Sequence, residues 1–108
     1  MFQQVHDFLV SLPNVTIQPH FDKISYRIGS KIIATFDEKT FQYCVKLTLE
    51  KQESYSILFP EVVFAVPNKW GASGWTFVDS EIISVDDLKE ILHSAYRELS
   101  KNKRNTKS

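Results

Sequence analysis

The spacing of apolar residues changes character along the chain, and each change predicts an element. Phe2, Val5, Phe8, Leu9 and Leu12 recur at helical spacing and Pro13 blocks continuation, so a first helix is expected over about residues 2–12. From Lys23 the period falls to two. Ile24, Tyr26 and Ile28 share one face, followed by Ile32, Ala34 and Phe36, then by Phe41, Tyr43, Val45 and Leu47. These runs predict a three-strand antiparallel meander. Asp37-Glu38-Lys39-Thr40 reads as a turn that sets Phe36 opposite Phe41, Ala34 opposite Tyr43 and Ile32 opposite Val45. In the first hairpin, a two-residue Gly29-Ser30 turn would put Ile28 opposite Lys31 and mix the faces. A three-residue loop, Gly29 to Lys31, restores the match and is the expected form.

Beyond the meander, Thr48 is placed to cap a short helix running to about Phe59, with Glu50 near its positive end and Tyr55, Leu58 and Phe59 on its buried side. Pro60 closes it. Val62 to Val66 is a short extended run, and Trp75 to Val78 reads as a further strand that starts with Trp75 in the core. The last helix is signalled by Ser84 and Asp87 at its cap, by Ile83 stapling to Leu88, and by the apolar stripe Leu88, Ile91, Leu92, Ala95, Tyr96 and Leu99. The expected fold class is α+β, an antiparallel sheet covered on one face by the N- and C-terminal helices. Tyr26, Ala34, Tyr43, Leu92 and Tyr96 should be buried between the layers.

Composition narrows the function classes. The 108 residues are 43% hydrophobic and 13% aromatic, a globular balance that one core can satisfy, so residues 1–99 are expected to form a single domain. A lone cysteine, Cys44, excludes an internal disulfide, and no apolar run suits a signal peptide or a membrane span, so a cytoplasmic location without membrane contact is expected. Charge is unevenly placed. Residues 1–99 hold nine Lys/Arg against thirteen Asp/Glu, whereas residues 100–108 hold four cations and no acid and read as a basic, disordered tail.

The most specific stretch runs from Val66 to Val78, Val-Pro-Asn-Lys-Trp-Gly-Ala-Ser-Gly-Trp-Thr-Phe-Val, which contains both tryptophans and two of the three glycines. Proline and glycines impose a non-repetitive path, and the tryptophans give the loop something to bury, so it should be ordered. Trp70 should lie nearer the surface than Trp75.

Together with His20-Phe21, Ser25-Tyr26-Arg27-Ile28-Gly29-Ser30-Lys31-Ile32-Ile33-Ala34-Thr35 and Leu88 through His93-Ser94-Ala95-Tyr96, this loop resembles the bacterial MmcQ/YjbR family over about residues 2–99. The resemblance implies a CyaY-like (frataxin-like) α+β fold, often described as a double-wing DNA-binding domain. The family commonly carries Gly-Gly before the lysine where this chain has Gly29-Ser30. It implies no catalytic residue set, and the iron-binding acidic ridge of frataxin-like proteins has no counterpart in a first helix whose only acid is Asp7.

Candidate chemistry read from the residues points the same way. Cys44 lies on a strand with no His or acid at readable spacing, Gly71-Ala72-Ser73-Gly74 lacks the spacing of a nucleophile elbow, and His6, His20 and His93 are scattered. No enzyme activity, metal or cofactor is therefore expected. The candidate nucleic-acid-binding residues are Arg27 and Lys46 on the polar sheet face near the first hairpin, Lys31 at its tip and Lys23 further along, with Lys69 and Trp70 in the loop, a cation beside a flat ring. Two functions stay open: weak, phosphate-driven DNA binding, or a protein-interaction or small-ligand module using an apolar groove beside the tryptophan loop.

Overall fold

The computed structural model describes residues 2–105, with elements in the order α1 (Phe2–Ser11), β1 (Val15–His20), β2 (Lys23–Ile28), β3 (Lys31–Asp37), β4 (Gln42–Lys46), α2 (Leu49–Leu58), β5 (Val63–Ala65), α3 (Lys69–Ala72), β6 (Trp75–Asp79) and α4 (Val85–Asn105). All six strands join one sheet in the order β1-β2-β3-β4-β6-β5, and every neighbouring pair is antiparallel. The α+β class with helices on one face is therefore the observed one. Helix α4 runs beyond the expected stripe to Asn105, and the end of the basic segment 100–108 lies outside the described residues.

The caps form as the residue types dictate. Thr48 Oγ1 accepts from the Lys51 amide at 3.1 Å at the start of α2, and Ser84 Oγ accepts from the Asp87 amide at 3.1 Å at the start of α4. Leu88, Ile91, Leu92 and Ala95 of α4 and Val5 and Leu9 of α1 are buried against Tyr26, Ala34, Phe36, Tyr43, Val45 and Val78 of the sheet. Tyr96 packs at the edge of this core and its hydroxyl donates to the Pro13 carbonyl at 2.9 Å. Tyr26 is hydrogen-bonded to His6 Nδ1 at 3.0 Å, and burial pushes its phenol up to about 12.

Four local expectations are corrected. Strand β1 was not anticipated; it is an edge strand whose Ile17 stays 43% exposed, so it has no strongly buried face to advertise itself. The first hairpin has the two-residue Gly29-Ser30 turn after all, with Ile28 paired to Lys31 and Gly29 at φ +61°. A bulge restores the faces. Tyr26 pairs with Ala34 but Arg27 with Ile32, so Ile33 is the extra residue; Ile33 joins the core and Ile32 turns to the opposite face. In the second hairpin Phe36 pairs with Tyr43 and Ala34 with Val45, a slip of two that keeps these four side chains on their expected face and leaves Phe41 in the turn at φ +57°. Finally, Leu58 is 66% exposed, because the short α2 buries only its Tyr55 side.

Strand β6 overturns the placing of Trp75. Thr76 and Val78 point into the core, so Trp75 and Phe77 emerge on the opposite, helix-free face, where Trp75 is half-buried.

Candidate nucleic-acid interface

The helix-free face is built by the side chains that alternate with the core. Register places Ser25, Thr35, Cys44 and Phe77 in one row across β2, β3, β4 and β6, with Phe64 of β5 beside Phe77. The next row toward the first hairpin holds Arg27 on β2, Ile32 on β3, Lys46 on β4 and Trp75 on β6. On the other side lie Lys23, Asp37, Gln42 and Asp79. The face therefore has a cationic and aromatic end and an end that carries both acids.

A shallow groove of about 460 Å³ crosses this face. It starts at the β1–β2 turn with His20, Phe21 and Lys23, passes over Thr35 and Cys44, and ends against Trp70, Trp75 and Phe77. No acid lines it. A second hollow of about 380 Å³ between α2 and α4 is bordered by Glu50 and Glu98 as well as Lys51, Arg97 and Lys101 and has no aromatic wall, so it mixes both signs of charge.

The tryptophan end of the groove is held rigidly. Asn68 accepts from the Trp70 amide at 2.8 Å and starts the single turn of α3. Gly71 lies against the Val66 carbonyl and Gly74 against the Leu47 carbonyl, so closely that a Cβ at either position would collide with backbone. From behind, the Gln52 side-chain amide lies within hydrogen-bond distance of three acceptors, the carbonyls of Gly71 (3.0 Å) and Trp75 (3.1 Å) and Thr76 Oγ1 (3.0 Å). Thr76 in turn donates to the Gly74 carbonyl at 2.9 Å. A buried threonine with its hydroxyl satisfied lets the bulkier Trp75 stand on the other face.

The model of the YjbR family matches residues 10–98, which is most of the chain. The chain belongs to the YjbR family. No curated protein and no solved structure matches it.

Within this YjbR-family domain the candidate residues divide into two groups. Arg27 and Lys46 share one end of the open face, with exposed Lys69 and Trp70 beyond β5 at that end, whereas Lys31 stands at the hairpin tip paired with core-facing Ile28 and so projects from the rim of the sheet, not from the open face itself. Lys46 Nζ donates to the Ser73 carbonyl and sits 5.8 Å from the Trp75 ring centroid, a cation held over an aromatic face. Arg27 folds back along β2. Its Nε donates to Ser25 Oγ at 2.9 Å and its Nη2 lies 3.5 Å from His20 Nδ1. Lys23 stands apart from the others at the acidic end and pairs with Asp22 at 3.4 Å.

Sequence reasoning missed Gln52, Phe21, Trp75 and Phe77 as parts of this surface. Gln52 carries no signal beyond a polar residue on a weakly amphipathic helix. Trp75 and Phe77 stand two apart in the sequence, but the expectation that Trp75 begins its strand in the core hides the pair, which the structure turns outward. Cys44 lies in the groove floor, where burial pushes its thiol up to about 11 against the opposing influence of Lys23. It is a protonated thiol at neutral pH and a poor nucleophile.

Proposed function

We propose that this YjbR-family domain is a non-catalytic, cytoplasmic binding module that engages nucleic acid through its open sheet face, by phosphate contacts that are largely independent of sequence. The observation that carries this reading is the segregation of charge. The strands hold four cations, Lys23, Arg27, Lys31 and Lys46, against two acids, Asp37 and Asp79, whereas α1, α2 and α4 up to Leu99, before the basic segment, hold seven acids against three cations, Lys51, Lys89 and Arg97. The acidity that argues against a nucleic-acid partner thus resides mainly on the helices and connecting loops, away from the cationic end of the open face. The non-catalytic part rests on Cys44 being held protonated, and on His6 and His20 being engaged with Tyr26 and with Arg27 and Phe21.

A second reading, a protein-segment or small-ligand site, is favoured by the acid-free apolar groove itself. Salt dependence separates the two. With phosphate contacts from Arg27, Lys31, Lys46 and Lys69, log affinity for duplex DNA should fall against log salt with a slope of roughly minus three to four, and for a single strand of roughly minus three. The Arg27→Ala/Lys46→Ala pair should halve that slope. Absence of binding at low salt, or an unchanged slope in the double variant, moves the assignment to the second reading.

A further inference from the structure

We infer that the groove on the open face stacks an unpaired nucleobase, so that the domain binds single-stranded nucleic acid in preference to duplex. This rests on the nucleic-acid reading above and adds to it the form of the strand.

A duplex presents phosphates outward and keeps its bases stacked inside, so it could reach Arg27, Lys31 and Lys46 but would leave the apolar floor between the cations unfilled. A single strand supplies both halves of what the face offers, a flat ring and an anionic backbone. The groove's volume, about 460 Å³, lies in the range of roughly 300–1,000 Å³ typical of small-molecule pockets. No acid lines it; Lys23 at one end is paired with Asp22, and Lys46 lies over Trp75 at the other, so it is the tryptophan end where charge complementarity favours an anion bearing an aromatic ring.

Two exposed aromatic rings mark the ends of this groove. Phe21 is 94% exposed and Trp70 57% exposed, on turns at opposite edges of the sheet, and both line the same depression. Single exposed apolar residues are ordinary, but two aromatic rings facing one acid-free groove form a stacking platform. Phe21 moreover sits at φ +60°, a conformation that bulky residues rarely adopt, with its ring edge-on to His20 at a centroid distance of 5.0 Å. At the other end, Asn68, Gly71 and Gln52 fix the backbone that carries Trp70, so the turn bearing that ring is ordered before a ligand arrives.

The test uses the full chain at low salt with three probes: a short fluorescein-labelled deoxythymidine oligomer, the same oligomer annealed to its complement, and free thymidine monophosphate. The single strand should bind about tenfold more tightly than the duplex and quench tryptophan emission. Trp70→Ala should weaken single-strand binding about tenfold and leave duplex binding unchanged, while Trp70→Phe should retain most of it. Phe21→Ala, at a nearly fully exposed position, provides a second variant that preserves the fold and should also weaken the single strand. Equal affinity for both forms, unaltered by Trp70→Ala, overturns the stacking inference and leaves the phosphate reading standing. Failure of both forms to bind removes both. Thymidine monophosphate binding as tightly as the oligomer overturns the strand proposal in favour of a free nucleotide.

Discussion

The two faces of the sheet are made by the same strands, residue by alternate residue, yet they solve opposite problems. The covered face is closed by α1 and α4, and its side chains from Tyr26 to Val78 are almost wholly removed from water. The open face keeps Trp75 and Phe77 half-buried, with cations on either side of an aromatic floor. Residue size alone does not tell them apart. On β6 the smaller Thr76 and Val78 are in the core and the larger Trp75 and Phe77 are outside, because an interior threonine whose hydroxyl is paired costs little and a large ring without a helix above it is available for a ligand.

Substitutions on the two faces should sharpen that contrast in free energy. Leu92→Ala removes a fully buried side chain from α4 and should cost about 2–5 kcal/mol in a urea titration, whereas Trp75→Ala, despite deleting far more atoms, should cost only about 1–2 kcal/mol. A Trp75 loss equal to the Leu92 loss would mean that the open face belongs to the core. Gln52→Ala lies between these, since it strips the carbonyls of Gly71 and Trp75 of a shared donor; about 1–3 kcal/mol should be lost, with faster amide exchange confined to residues 66–76. Uniformly faster exchange would show instead that α2 as a whole had come loose.

How far the sequence revealed this arrangement depended on how strongly each segment commits its apolar residues to one side. Helices α1 and α4 were legible because their stripes are continuous and their ends are marked by Pro13 and Ser84. The cap at Thr48 and the order of the loop from Val66 to Val78 followed from residue chemistry alone. Strand β1 was hidden because an edge strand with exposed Ile17 has little hydrophobic signal, and Pro19 within it reads as a breaker. The bulge at Ile33 was hidden because Ile32, Ile33 and Ala34 are all apolar, so nothing local says which residue is extra. At the candidate site, Arg27, Lys31, Lys46 and the Lys69-Trp70 pair were legible as side chains, but the groove that joins them was not, since it depends on Trp75 and Phe77 facing outward and on a distant Gln52.

The central claim is that the open face, and not the helical one, is the working surface. The most direct measurement follows side-chain resonances while a single-stranded oligonucleotide is added: the indole N–H signals of Trp70 and Trp75 and the methyl signals of Ile32 against those of Leu92 and Val5. Shifts should be concentrated at Trp70, Trp75 and Ile32, with Leu92 and Val5 unmoved, because the latter lie beneath the helices. Shifts centred on the helical side, or none at any of these positions while the oligonucleotide is in excess at low salt, would contradict the account.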